Sequence, residues 1–223
     1  MSAPARLVRE PLVSVVTPVY NGEPYLQECI ESVLAQTYDN WECTILDNRS
    51  SDRSLEIARS YAARDRRITV ESNRSFRPQT DNLNAALTLI SPRSKYVKMV
   101  LADDWIFPHC LAEMVRVAEE HPSTGIVSSY RLDDRRVNCT GLPPECTLFP
   151  GRDIGRATLR AEIFVFGSPN TLLYRSDIVR HASPSSVRAA CTRIRRPATR
   201  SCSITISASS TRSSPSRGGR TNR

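Results

Sequence analysis

A chain of 223 residues can bury a core of domain size, and its 39% hydrophobic and 24% charged residues are those of a globular protein. The formal net charge of +8 is confined to one end: residues 181–223 hold nine arginines and no acid, whereas residues 1–180 hold 22 basic and 23 acidic side chains. A folded reader of DNA or RNA carries its basic side chains on the folded part, so this distribution argues against nucleic acid as a partner.

Leu12–Thr17 (LVSVVT), valine-rich and closed by Pro18, predicts a buried strand. The turn PVYNG, Pro18–Gly22, leads into EPYLQECIESVLAQ, where Leu26, Ile30, Val33 and Leu34 recur at helical spacing. WECTILD (41–47) predicts a second strand, and the polar NRSSD after it opens the helix SLEIARSYAARD with Asp52 or Ser54 as N-cap. RITVES (67–72) reads as a third strand, DNLNAALTLI (81–90) as a third helix, and KYVKMVLA (95–102) as a fourth strand that delivers Asp103 and Asp104. PHCLAEMVRVAEEHP (108–122) then predicts a helix and TGIVSSYRL (124–132) a fifth strand. Residues 133–155, with Pro143, Pro144 and Pro150, predict an irregular insertion. EIFVFGSPNTLLYRSDIVR (162–180) predicts a strand or strand pair around a GSP turn, with a helix from Ser176.

Beyond Arg180 the composition changes. Sixteen of the last 43 residues are Ser or Thr, and neither leucine nor an aromatic residue occurs, so this basic tail, 181–223, is expected to be disordered. The seven cysteines are odd in number and lack zinc spacing, which points to free thiols in a reduced, cytoplasmic location. The N-terminal MSAPARLVREPLVSVV has no signal-peptide core, and no window approaches the ~18 apolar residues that cross a bilayer. A peripheral contact with acidic membranes is compatible with the tail.

Strands alternating with helices of this length specify an α/β fold with a mostly parallel sheet. Ligands of such sheets bind at the carboxyl ends of the strands, and three polar clusters fall there: PVYNG, DNRSSD and DDW. Two adjacent carboxylates among Leu101, Trp105 and Phe107 require a counter-ion, and hard oxygen ligands suit Mg²⁺ or Mn²⁺ shared with the phosphates of a substrate. The alternative for Asp103 and Asp104 is a helix-capping turn. Tyr20 offers an aromatic face to a base, while Asn21 and Gly22 shape their turn. Asp47 and Asn48 stand where a ribose or base is often gripped, or cap the following helix. The absence of Gly-x-Gly-x-x-Gly weighs against a dehydrogenase.

The stretch VSVVTPVYNGEPYLQECIESVLAQTYDNWECTILDNRSSD, followed by KYVKMVLADDWIFP, resembles the nucleotide-sugar-binding half of the inverting family 2 glycosyltransferases, of GT-A fold. The resemblance covers residues 12–131 and, more weakly, FGSPNTLLYRSDIVR. It implies an N-terminal extension (1–11), a Rossmann-like nucleotide-sugar-binding α/β domain (12–131), a partial acceptor-side region (132–180) and the tail (181–223). It further implies that Pro18 and Tyr20 line the base pocket, that Asp47 and Asn48 meet base and ribose, and that Asn84 lies near a family asparagine. Asp103 then approaches the ribose and, with Asp104, the Mg²⁺ or Mn²⁺ on the diphosphate. The implied partners are a nucleotide diphosphate-sugar donor and an acceptor hydroxyl on a glycan, lipid-linked or protein acceptor, as in cell envelope polysaccharide biosynthesis at the inner membrane face.

The chain departs from the family at Asn48 and Leu101, where members often carry acids, and at its end. Inverting transfer needs a general base, which the family places well downstream of the metal site. After Asp177, itself placed as a helix cap, no Asp or Glu occurs. The base is therefore expected to be missing. Arg, Ser, Thr and Pro are what GC-rich codons give out of phase, so a reading frame lost near residues 181–190 explains the change of composition. The rival is a native basic tail on a noncatalytic nucleotide-, partner- or membrane-binding protein.

Overall fold

The structure, a computed structural model, describes residues 10–133, 136–142, 148–181, 201–204 and 209–211, the last two segments by their backbone alone. Its first half alternates strand and helix: β1 (Val13–Val19), α1 (Glu23–Leu34), β2 (Trp41–Asp47), α2 (Ser54–Ala62), β3 (Ile68–Ser72), α3 (Gln79–Thr88) and β4 (Tyr96–Met99). There follow β5 (Asp104–Ile106), α4 (Cys110–Glu120), β6 (Thr124–Ser128), β7 (Arg131–Asp133), β8 (Arg136–Asn138), β9 (Leu148–Pro150) and α5 (Gly151–Leu159). A 3₁₀ turn (Pro169–Thr171), β10 (Leu172–Arg175), α6 (Ser176–His181), β11 (Ser201–Ile204) and β12 (Ser209–Thr211) complete the described elements.

The main sheet runs β3-β2-β1-β4-β10-β6-β11-β9, and its first four strands are parallel. β10 enters antiparallel between β4 and β6. The expected α/β fold with a mostly parallel sheet is therefore what forms. The chain winds outward from β1 through β2 to β3, then returns to the other side of β1 for β4. Strand order thus reverses between β1 and β4, the place where a crevice opens at the carboxyl ends of an α/β sheet. A smaller sheet, β5-β12-β7-β8, lies on the Asp104 side.

Period-two alternation along β1 sends Val13, Val15 and Val19 to one face and Val16 to the other. On the first face they meet Leu26, Cys29, Ile30 and Val33, the apolar stripe of α1, and Leu111, Met114 and Val115 of α4. On the second, Val16 joins Leu46, Val97, Met99, Ala86 of α3 and Ile154 of α5. Both faces are covered, as a parallel sheet requires. The Gln-Thr-Tyr segment after α1 is structural: Gln36 Oε1 accepts the Leu111 N–H at 3.0 Å while its Nε2 donates to Phe107 O at 2.8 Å. Thr37 N–H reaches Pro108 O at 2.9 Å, so the end of α1 is fastened to the start of α4.

Several elements differ from the sequence reading. β8, β9 and the start of α5 replace the insertion expected to be irregular over 133–155, β5 forms where no element was predicted, and 162–171 forms no strand before β10. The three-residue strands lack a readable alternation, and α5 carries two glycines; only Ile154 and Gly155 are buried in it. The predicted fifth strand breaks at Ser129–Tyr130 into β6 and β7, which pair in different sheets. The tail expected to be disordered lies mostly outside the described residues, apart from His181 and the two strands β11 and β12. Among the described residues no helix is long and apolar enough to cross a membrane, and Cys29, Cys43, Cys110 and Cys139 carry free, buried thiols.

Candidate functional site

A cleft of roughly 400 Å³ opens at the switch between β1 and β4. One wall is the turn after β1, with Pro18, Tyr20, Asn21 and Gly22, and another is Leu101, Ala102 and Asp103 after β4. Asn48 and the segment from Phe76 to Leu83 close the third side. Gly22 allows the first two walls to approach: a Cβ there meets Val19 Cγ2 at 2.8 Å and Ala102 Cβ at 3.4 Å.

The wall after β1 is held by the loop after β2, about thirty residues away in sequence. Ser50 Oγ accepts the Asn21 N–H at 3.0 Å, Ser54 Oγ the Gly22 N–H at 2.8 Å, and an Asp52 carboxylate oxygen the Glu23 N–H at 3.0 Å. Asn21 Oδ1 returns the favour, accepting the Ser51 N–H at 2.8 Å. The N–H groups of Asn21, Gly22 and Glu23, which lead into α1, are thereby satisfied by the loop after β2, while Pro24 has none and the Tyr25 N–H turns to Gly22 O at 2.9 Å. They are engaged by the protein, so this helix terminus does not present them to phosphate, and a diphosphate in the cleft has to find its positive charge elsewhere. Burial alone pushes the Asp52 carboxyl up, but its bonds from Ser54 and the Glu23 N–H prevail and hold it below the usual range.

Asp47 and Asn48 serve the same loops. The Asp47 carboxylate, 2% exposed, accepts the N–H groups of Arg49 at 3.2 Å and Ser50 at 3.1 Å, which steadies the left-handed Arg49 at φ 65°. It is not among the residues lining the cleft. Asn48 lines it, yet its side chain is occupied inward: Oδ1 accepts from the Arg77 N–H at 3.0 Å and from Asn73 Nδ2 at 2.8 Å, and Nδ2 donates to Arg77 O at 2.9 Å. Asn73 also donates to Asn82 Oδ1 at 2.8 Å. This buried chain of amides sets the position of Phe76 and Arg77. At the mouth, the half-exposed rings of Tyr20 and Phe76 meet edge to face, centroids 4.9 Å apart, a pair that leaves aromatic surface to solvent and to a flat ligand.

The two aspartates face different surroundings. Asp103 is half-buried and lines the cleft, whereas Asp104 is buried and begins β5. Asp104 Oδ2 accepts a hydrogen bond from Asn170 Nδ2, and Asn170 Oδ1 accepts the Leu101 N–H at 2.8 Å. Beneath them lies Lys98, fully buried, whose Nζ donates to the Asn170 carbonyl and lies 3.5 Å from Met114 Sδ. Burial pushes its pKa down. Cys29, also beneath the pair, is pushed up by burial and by the neighbouring Cys43 and Asp104; it is an inert thiol that donates to Leu101 O at 3.4 Å.

Of the residues singled out from sequence, Pro18, Tyr20, Asn21, Asn48 and Asp103 line the cleft. Asp104 stands behind Asp103, and Asp47 behind Asn48. Asn84 is not among the lining residues; Asn82, two places earlier on α3, is. Among the described residues no three His, Cys, Asp or Glu side chains cluster to hold a metal. Two carboxylates without a third match the donor set of a cation that completes its shell with phosphate oxygens and water. Phe76, Arg77 and Asn82 were missed because the 73–82 segment lacks a periodic pattern. Lys98 and Asn170 were missed too, although a lysine inside YVKMV and an asparagine after Gly-Ser-Pro were visible signals.

An α/β sheet of this order, with Asp103 lining a cleft at its reversal and Asp104 buried behind it, defines a GT-A-type domain. The family model described as glycosyl transferase family 2 matches residues 14–181, and the chain belongs to that family. It is 36% identical over 123 residues to the putative glycosyltransferase EpsE of Bacillus subtilis, covering 55% of this chain and 44% of that protein. It is 30% identical over 121 residues to the glycosyltransferase GlyG of Streptococcus pneumoniae, covering 53% and 39%. The chain thus spans less than half the length of these relatives. Among solved structures, the mannosyltransferase PcManGT of Pyrobaculum calidifontis in complex with GDP-Man and Mn²⁺ has a TM-score of 0.67 at 21% identity, over 95% of this chain and 59% of that one. Residues 1–349 of S. aureus TarS in complex with UDP-GlcNAc have a TM-score of 0.65 at 19% identity, over 91% and 58%.

Proposed function

We propose that the cleft binds a nucleotide diphosphate-sugar together with Mg²⁺ or Mn²⁺, for transfer of the sugar to an acceptor hydroxyl with inversion. The observation that carries this is the juxtaposition of Asp103, with Asp104 buried next to it, and the Pro18–Gly22 turn at the β1/β4 reversal of a family 2 chain. The engaged amides before α1 leave the diphosphate to a cation at the aspartates and to the Arg77 guanidinium, which lines the cleft. The neighbours in complex with GDP-Man and Mn²⁺ and with UDP-GlcNAc are consistent with it.

In this reading Tyr20 and Phe76 flank the base, and Pro18 forms the floor beneath it. Asp47 acts through the loop it shapes, and Asn48 through the amide chain that holds Phe76 and Arg77 at the mouth. Asp103 and Asp104 hold the cation, with Asp103 also nearest the ribose. When bound, the cation supplies Lewis-acid stabilisation of the departing diphosphate. The residues 12–131 form the donor-binding part and 132–180 the beginning of an acceptor side. Similarity to the O-antigen biosynthesis protein RfbC of Myxococcus xanthus, 35% over 127 residues, 56% of this chain and 10% of that protein, favours a surface-polysaccharide acceptor.

The base that deprotonates the acceptor is not assigned. Asp177 is engaged in an ion pair with Arg175 at 2.7 Å and accepts the Ile178 N–H at 2.9 Å, as a helix-start residue does. A coding frame lost near residues 181–190 accounts for the change to an acid-free, Arg/Ser/Thr-rich composition, and the nucleotide sequence tests it: no alternative frame open across this stretch refutes it. Calorimetry with UDP, dTDP and GDP, with and without Mn²⁺, tests the binding. Mn²⁺-dependent binding of one nucleotide is the expected result, and none with any of the three refutes the donor reading.

A further inference from the structure

Asn170 comes from the far side of the chain, 66 residues after Asp104, yet it is wholly buried and every polar group of its side chain meets the loop that carries the aspartates. The Leu101 N–H can only donate, so the amide edge facing it is the oxygen, and the NH₂ group is thereby turned onto Asp104 Oδ2. The orientation is dictated rather than chosen.

The turn that carries Asn170 is itself held from several directions. Thr171 Oγ1 donates to Phe166 O at 2.7 Å and Ser168 O at 2.8 Å, and the Ser129 N–H reaches Thr171 O at 2.8 Å. Gly167, at φ 49°, lies so close to Cys139 that a Cβ would stand 2.4 Å from its Sγ. From below, Lys98 donates to the Asn170 carbonyl. Lys98 occupies a position in β4 whose neighbours on that face, including Met114, are apolar, so a leucine or methionine would pack there without desolvating an amine. Among the described residues its Nζ contacts are that carbonyl and the Met114 sulfur.

We propose that Asn170 is the positioning residue of the cation site, fixing the Asp104 carboxylate for the metal, and that buried Lys98 holds Asn170 in place. The inference rests on the donor reading above and deepens it. Two adjacent carboxylates repel each other and turn apart when nothing holds them. A donor on one of them holds it in one rotamer, so less freedom is lost when a cation arrives. The acceptor-side turn thus completes the donor site, and the two halves of the domain are joined at this amide.

The experiment measures nucleotide binding across a Mn²⁺ series for the wild-type chain and for Asn170→Ala and Lys98→Met, using whichever of UDP, dTDP or GDP the wild type binds. Thermal melting is recorded alongside. The expected result for Asn170→Ala is a rise of roughly 10- to 100-fold in half-saturating Mn²⁺, the usual cost of losing an outer-shell partner, with nucleotide affinity restored at saturating Mn²⁺. Lys98→Met raises the midpoint in the same direction while its melting temperature holds or rises. A merely structural role predicts instead a lowered melting temperature and a loss that Mn²⁺ does not restore, and that outcome overturns the inference. Unmoved midpoints in both variants beside a Mn²⁺-dependent wild type overturn it as well, leaving the donor reading intact. A wild type without Mn²⁺-dependent binding overturns the donor reading and this inference with it. Should Asn170→Ala not fold, Lys98→Met, which fills the same space, decides alone.

Discussion

Between Val13 and Met99 a helix separates successive strands and each strand pairs in parallel with a neighbour, whereas β8, β9 and β10 are three or four residues long and pair antiparallel with their partners. The first region builds its part of the cleft from strand-end loops tied to one another by short polar side chains: Ser50, Asp52 and Ser54 on the turn before α1, and Asn48, Asn73 and Asn82 under Phe76. The second contributes one side chain, Asn170, from an irregular turn. A regular scaffold spreads its hold on a site over many weak bonds, while an irregular one concentrates it in a few positions that tolerate little change.

That contrast can be broken by substitution. The largest effect is expected for Asp104→Ala, which should reduce nucleotide binding in Mn²⁺ to the level measured with EDTA; binding unchanged by the substitution removes Asp104 from the cation site. Next comes the glycine on the irregular side. Gly167→Ala adds a Cβ against Cys139 in a left-handed backbone and should cost roughly 3 kcal/mol in chemical denaturation. Gly22→Ala, on the regular side, presses on the buried Val19 Cγ2 at 2.8 Å without left-handed strain and should cost about 2 kcal/mol. Equal costs would erase the difference between the two regions.

Tyr20→Ala should weaken nucleotide binding by about 1–3 kcal/mol, the worth of a base on an aromatic face, without lowering the melting temperature, because the ring is half exposed. Asn84→Ala, off the cleft, should leave binding unchanged. The smallest measurable effect on stability is that of Asp52→Ala, about 1 kcal/mol at neutral pH, as for a lost helix cap. The folded Asp52 carboxyl titrates below its unfolded range, so its contribution is present above about pH 4 and is lost as the pH falls through the folded value. The gap between wild type and variant in acid denaturation should close accordingly.

The regular region was the legible one. β2 spans Trp41–Asp47 as its alternation predicts, and α1 presents Leu26, Ile30 and Val33 to the core. Both patterns follow from burial on one face, which sequence records. The reading also brought Pro18, Tyr20, Asn21, Asn48 and Asp103 to one cleft, because strand ends of a parallel sheet share an edge. What it could not supply was the direction of a carboxylate. Asp47 turns into its own loop and Asp104 toward Asn170, and those orientations depend on partners two to 66 residues away that no local pattern announces. The same holds for the lysine inside β4, whose role is visible only once Asn170 is placed above it.

The claim that joins these observations is that the aspartate pair holds a cation jointly with a diphosphate. Electron paramagnetic resonance of Mn²⁺ titrated into the full chain measures this directly, with and without nucleotide diphosphate. The account predicts weak Mn²⁺ uptake alone, strong uptake when nucleotide is added, and neither in a chain carrying Asp103→Ala and Asp104→Ala. Mn²⁺ binding that is indifferent to nucleotide, or that survives removal of both carboxylates, would contradict it.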